Sequence, residues 1–400
     1  MLNLQEFKSK CEAEARSLLD YWLTLQDKKR GGFFSRADFQ GVIATEEPKG
    51  VLLHARILWA FSRGYRAFGD ERYLEAARHC HEFLTGPALD QEHGGVYWLL
   101  DAQGKVADSQ KHIYNQGFVI YALSEYYLAC GDESALTLAF ELFDLIEEHA
   151  FDSVFGGYRE AFDVSWKPIE NTLVCDTAEG VLAEKSMNTH LHIMEAYTKL
   201  QQARANSKVE QQLRGLIELL CDKVVNDSMH FGLFFKRDWQ CVSHDVSFGH
   251  DIEGTWLIDK AALQCRDEAF RARVFQKTLT MAQVNAAQAI DKDGGVFNEL
   301  REGHLIDCDR IWWVQAEALV GYLNAYQKER EQIFMDSAQR VFSVILAQLK
   351  DRDNGEWYWK VDRYGKPYPQ CPKVEPWKCP YHNVRALIEA SERLASLSET

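Results

Sequence analysis

Residues 185–197, KSMNTHLHIMEAY, carry the groups with the clearest chemical potential. Helical spacing sets Asn188 and His192 one turn apart on one face, with Glu195 a further turn along. Met187, Leu191, Met194 and Thr198 form another stripe, so the segment can pack and still present polar groups. His190 and His192 are two apart and point to different sides. Comparable polar openings recur along the chain. They are His54 with Arg56; His112, Tyr114, Asn115 and Gln116; His250 with Glu253 one turn on; Trp312, Trp313, Gln315 and Glu317; and His382, Asn383 and Arg385 after the run EPWKCPY.

A histidine near its free pKa of about 6.5 can take and return a proton at neutral pH. That suits proton exchange on a carbon beside a carbonyl, such as C2 of an open-chain sugar. Removing the C2 proton leaves a cis-enediolate, whose oxygen charge needs donors such as Arg56, Asn188 and a third histidine. Return of the proton to the opposite face of C2 gives the epimer, and return to C1 gives the ketose. An aldose 2-epimerase and an aldose–ketose isomerase therefore both fit. A glycoside hydrolase would need two carboxylates flanking a cavity, for which Glu253 and Glu317 are available, but three histidines would then have no task. A non-catalytic sugar-binding or protein-interaction barrel would keep its affinity without His250 and His382. His54 and His190 read as core residues. Arg56, inside an apolar helix, needs a partner or a ligand. HExxH, phosphate-loop, dinucleotide and nucleophile-elbow patterns are all missing, so neither metal nor cofactor is expected.

The elements that must position these groups show as a repeat. Glycine followed by an aromatic burst appears at Gly31-Gly32-Phe33-Phe34, Gly94-Gly95-Val96-Tyr97-Trp98 and Gly156-Gly157-Tyr158. It returns at Gly232-Leu233-Phe234-Phe235, Gly294-Gly295-Val296-Phe297 and Gly355-Glu356-Trp357-Tyr358-Trp359. A recurring interval marks a repeat architecture, with glycine making the turn and the aromatics a short strand. Between bursts lie one-sided helices near 4–26, 71–84, 132–149, 206–226, 268–290 and 330–350. More apolar partners lie near 51–68, 112–129, 187–200, 250–264, 312–327 and 382–395. Helices apolar nearly all round are buried, and one-sided helices cover them. Six such pairs imply an all-α fold: an (α/α)6 barrel of six inner and six outer helices, with short β-hairpins at one rim. It would occupy residues 1–400 as one catalytic domain. The inner helices run parallel, so the polar openings meet at that rim.

Composition narrows the field. A net charge of −15 without a basic cluster argues against nucleic acid and anionic membranes. No apolar run is long enough to span a bilayer, and 1–22 has no signal-peptide core. Ten cysteines without a CxxC pair read as reduced thiols, which suggests a cytoplasmic protein. The aromatic supply exceeds what packing alone needs, and part of it can line a sugar site.

The motifs YNQGFVIY (114–121), SMNTHLHIMEAY (186–197), FGHDIEGTW (248–256), WWVQAE (312–317) and PWKCPYHNVR (376–385) resemble the N-acylglucosamine 2-epimerase superfamily, most closely its cellobiose 2-epimerases. The resemblance spans nearly the whole chain, and its family fold is the (α/α)6 barrel. It implies His250 and His382 as the acid/base pair at C2, with His192 assisting ring opening and holding the O1/O2 end. It implies Arg56, Asn188 and Tyr114 as binders of reducing-end hydroxyls, and Glu253 as the group that orients His250. Trp313 and Trp377 would be stacking platforms. A mono- or disaccharide substrate is implied, with no cofactor and a monomer or homodimer. The loop 153–168 and the small residues Gly117, Gly254 and Thr255 depart from the family pattern, which keeps a mannose-type monosaccharide or a mannose–fructose isomerase open.

Overall fold

The computed structural model describes residues 2–173 and 183–398. Its helices in chain order are α1 (Leu4–Leu23), α2 (Val51–Phe68), α3 (Glu71–Thr85), α4 (Ile113–Cys130), α5 (Glu133–His149) and α6 (Met187–Ala203). They continue with α7 (Ser207–Leu219), α8 (Phe248–Ala262), α9 (Glu268–Gln288), α10 (Trp312–Glu329), α11 (Gln332–Val344) and α12 (His382–Ser398). Each even-numbered helix packs on the next, α12 returns to α2, and each odd-numbered helix covers the ring from outside, α1 lying on α12. The (α/α)6 barrel is thus the observed architecture. None of these helices is long and apolar enough to cross a membrane. The nine described cysteines are unpaired thiols, and Cys175 lies outside the described residues.

Five of the six outer helices announce their starts with side-chain caps. Asn3, Asp70, Asp132, Asn206 and Asp267 each accept a first-turn amide. Five inner helices start differently, straight out of a two- or three-residue strand. Lys49–Gly50 pairs with Leu99–Leu100, Lys111–His112 with Ala161–Phe162, and Lys185–Ser186 with Phe234–Phe235. Asp245–Ser247 pairs with Glu299–Arg301, and Arg310–Ile311 with Lys360–Val361. Each sector is stitched to the next in this way, and a bridge from Ala37 to Val374 closes the ring.

One device recurs at every inner start. Count positions from the residue after the strand: Val51, Ile113, Met187, Phe248, Trp312 and, in the sixth sector, Pro380. Five of these first amides donate to a carbonyl of the next aromatic burst, at Trp98, Glu160, Leu233, Asn298 and Trp359. Proline, which has no N–H, stands at the sixth. Position four then reaches back to the sector's own burst. His54 Nε2 accepts from Phe33 N at 2.9 Å, and His190 Nε2 from Tyr158 N at 2.9 Å. Gln116 and Gln315 clamp Val96 and Val296 through both N–H and C=O. Asp251 accepts from Phe231 N at 2.8 Å. Asn383 works through Glu356, whose carboxylate takes the Trp357 amide.

The glycine doublets follow from this clamp. A Cβ on Gly32 would sit 2.6 Å from His54 Nε2, and one on Gly157 2.7 Å from His190 Nε2. Both also hold positive φ, so a side chain there fails twice. The turn before each doublet is pinned by a buried cation. Lys49 reaches Asp27, Lys111 Asp90, Lys185 Asp152, Arg310 Asp291 and Lys373 Asp351. The fourth sector has Asn226 and Val246 instead, with His230 bonding Asp251 at 2.7 Å.

Candidate active site

With position four committed to the frame, side chains from positions one, two, three and six of the inner helices, with Trp359 and Trp377 from the rim, reach the barrel axis. They enclose a cavity of about 200 Å³ lined by Arg56, Tyr114, Asn188, His192, His250, Glu253, Trp312, Trp313, Trp359, Trp377 and His382. The nine residues to which the resemblance gives a role, Arg56, Tyr114, Asn188, His192, His250, Glu253, Trp313, Trp377 and His382, all line it. Trp312, named beside Trp313 at the fifth helix start, lines it too, and Trp359, from the sixth burst, is an addition for which a Trp every other residue in GEWYW was the available signal. His112 stays outside, against Trp98, and Asn115 donates to Tyr97 O. Gly254 and Thr255 belong to the frame: a Cβ on Gly254 would strike Phe231, and Thr255 bonds Ile252 O. Gly117 packs on Ile193 of α6.

The histidines divide by which ring nitrogens are taken. His54 and His190 use both, Nδ1 bonding Gly50 O and Ser186 O and Nε2 accepting an amide. Burial, aided by the charges of Lys49 and Lys185, pushes both down to about 3 against the opposing pull of the Gly50 and Ser186 carbonyls. They are the core histidines expected from sequence. The cavity histidines keep Nε2 without a partner among the described residues. His192 Nδ1 meets Glu195 Oε2 at 3.0 Å, His250 Nδ1 meets Ser247 Oγ at 2.8 Å, and His382 Nδ1 meets Glu317 Oε1 at 2.6 Å. Burial, then the charge of His192, lowers His250 to about 3. Burial, then Arg385, holds His382 well below its ordinary value, and burial lowers His192 as well. All three are therefore neutral imidazoles at pH 7. The ring of Trp313 lies between His250 and His382, 4.7 and 5.6 Å from each ring centre.

One pairing expected from sequence is corrected. Glu253 does not orient His250. Its Oε1 accepts from Arg385 Nη2 at 2.6 Å and stands 3.7 Å from His382, while Ser247 is the partner of His250. Arg385 draws Glu253 away because a fully buried guanidinium gains more from a carboxylate than a neutral imidazole does. Glu253 Oε2 is buried without a partner, and Glu253 is pushed well up by burial and then by Glu317. Glu317 accepts from His382, Arg385 and, on Oε2, Trp256 Nε1 at 3.0 Å. Burial raises Glu195, but Arg385 foremost and then His192 overcome this and hold it low.

Ligand atoms of Glu253, Glu317 and His382 lie within 4.8 Å of one another, a spacing a divalent ion would accept. The guanidinium of Arg385, 2.6 and 2.7 Å from the two carboxylates, already stands as their cation. Arg56 is the converse case. It is fully buried, with Tyr114 Oη at 2.8 Å, Cys379 Sγ at 4.0 Å and the faces of Phe118 and Tyr381 around it. Its Nε has no partner, and among the described residues no carboxylate is paired with it. An uncompensated buried cation on the cavity wall favours an anion there.

The family model for N-acylglucosamine 2-epimerase (GlcNAc 2-epimerase) matches residues 32–386. The chain belongs to the N-acylglucosamine 2-epimerase family. It is a carbohydrate epimerase, an enzyme of the isomerase class. Among family members, a cellobiose 2-epimerase of Ruminococcus albus is 40% identical over 94% of this chain and 96% of its own. One from Dictyoglomus turgidum is 39% identical over 94% and 96%. The crystal structure of a sugar epimerase from a ruminal bacterium superposes with a TM-score of 0.93 at 38% identity, covering 96% of this chain and 98% of its own.

Proposed function

We propose that this family member inverts C2 at the reducing end of glucose- and mannose-type sugars, with cellobiose the first substrate to try. The observation that carries the reading is the meeting, in one cavity, of three neutral histidines with Nε2 atoms unpartnered among the described residues and one buried arginine with no counter-charge among them. His250 and His382 would serve the two faces of C2. One Nε2 takes the C2 proton, the C–H electron pair moves into the C1–C2 bond, and the charge collects on oxygen. Arg56, Asn188 and His192 would stabilise that charge, the first because no carboxylate is paired with it among the described residues. The opposing imidazole, drawing a proton from the rim as the enediolate forms, would return one on the other face. Tyr114 and Glu253 are suited to hydroxyls, Glu253 through its free Oε2, and Trp313 and Trp377 to sugar faces. The hydrolase reading loses support, since Glu253 and Glu317 share one guanidinium and do not flank a cleft.

The test is proton NMR of the protein with cellobiose, mannose or glucose in D2O, with chelator present. Deuterium at C2 together with accumulation of the 2-epimer is expected. A ketose product would make the enzyme an aldose–ketose isomerase, and no exchange on any of the three would overturn the reading.

A further inference from the structure

Beneath the cavity, one guanidinium joins two of its histidines. Arg385 Nη1 donates to Glu195, and Nη2 donates to Glu253 at 2.6 Å and to Glu317 at 2.7 Å. Glu195 in turn takes His192 Nδ1, and Glu317 takes His382 Nδ1. The path His192–Glu195–Arg385–Glu317–His382 is unbroken, runs through α6, α12 and α10, and is buried throughout. Arg385 does not line the cavity. Its surroundings are more specific than neutralisation of charge requires, because each histidine has its own carboxylate and one cation orders both.

We propose that Arg385 is a positioning residue for the proton transfer: by fixing Glu195 and Glu317 as acceptors, it locks His192 and His382 as Nδ1–H tautomers and so presents Nε2 of each to the sugar. A carboxylate already bonded by a guanidinium can only accept, so the imidazole facing it must carry its proton on Nδ1. Tyr381 strengthens the lock, since its hydroxyl donates to Glu195 while resting against Arg385. This inference rests on the reaction proposed above.

Removal of the guanidinium leaves carboxylates facing imidazoles with no competing cation. The groups around His382 are Arg56 from α2, Tyr114 from α4, His192 and Glu195 from α6, and His250 and Glu253 from α8. Glu317 from α10 and Tyr381 before α12 complete the set. Without Arg385 the carboxylates outnumber Arg56 there, so His382 gains a proton more readily and is lost as a base at higher pH.

The experiment compares the wild type with Arg385→Gln, Arg385→Lys and Glu195→Gln, each labelled with 15N-histidine. In the wild type, both histidines are expected as neutral Nδ1–H tautomers at pH 7. In Arg385→Gln, His382 becomes imidazolium, the acid limb of kcat/KM for C2 exchange moves up by a unit or more, and kcat at pH 7 falls at least 100-fold with KM within a few-fold. Arg385→Lys, which keeps the charge but not the fork, returns the acid limb part of the way. In Glu195→Gln, His192 changes tautomer while His382 does not. If Arg385→Gln fails to fold, Arg385→Lys and Glu195→Gln still decide the matter. Unchanged tautomers and an unchanged pH profile in folded variants would overturn the proposal, as would a wild-type His382 without a proton on Nδ1. A wild type with the expected tautomers but no C2 exchange would instead sink the epimerase reading and leave this one standing.

Discussion

His190 and His192 sit two residues apart on one helix, and only the second has a ring nitrogen to spare. His250→Ala and His382→Ala should lower C2 exchange by about 10²- to 10⁴-fold. Sugar affinity, measured by calorimetry, should stay within a few-fold, since Arg56, Asn188 and the tryptophans remain. The clamp histidines predict something different, an acid-labile fold. Unfolded imidazoles titrate near 6.5, while His54 and His190 are held at about 3 in the fold. Between those values the unfolded chain binds more protons. Stability is therefore full above pH 6.5 and drains as pH falls toward 3, by about 1.4 kcal/mol per pH unit for each group. His190→Gln should keep the clamp, as Gln116 and Gln315 do, and flatten the acid slope of Tm. His190→Ala should orphan the Tyr158 amide at a cost of about 1–3 kcal/mol at every pH. Residue types at the helix starts were legible in the sequence. Partners were legible only in part: Glu195 lies one turn from His192 on the same helix, but Glu317 reaches His382 from another helix, and Arg385 ties the two carboxylates together across the barrel. Glu253, three residues from His250, shows how a short spacing misleads when a stronger partner waits across the barrel.

At the scale of elements, the aromatic bursts and helix pairs could be read from the chain to within a few residues. Glycine turns and amphipathic stripes are local properties, and so they survive in the sequence. The cation clamps were not legible, since Lys49 and Asp27 join parts of a loop that only the fold brings together. Both are nearly inaccessible to solvent, so Lys49→Met should strand Asp27 at a cost of about 3–5 kcal/mol, seen as a fall in Tm. The fourth sector supplies the remedy. Asp27→Asn combined with Lys49→Val imitates Asn226 and Val246 and should recover much of the loss. A double variant no more stable than Lys49→Met would show that the pair does more than balance charge.

Across the whole molecule, ring closure joins residues more than three hundred positions apart. Ala37 N donates to Val374 O, and Leu2 pairs both ways with Gln339. No local pattern announces such contacts; they follow only once six sectors are known to complete a circle. Ala37→Pro removes the closing amide. It should lower Tm by a few degrees in scanning calorimetry while keeping one cooperative transition, because every sector leans on two neighbours. A first transition that splits off ahead of the rest would mean the sectors melt separately. Position four holds His, Gln, His, Asp, Gln and Asn in turn around the ring: five accept the burst amide directly, and Asn383 holds the Glu356 carboxylate that accepts it in the sixth sector. Positions two, three and six show no such agreement, and most of the cavity wall is drawn from them. The chain thus acts as its own alignment: laid sector over sector, it separates what the frame requires from what the substrate requires.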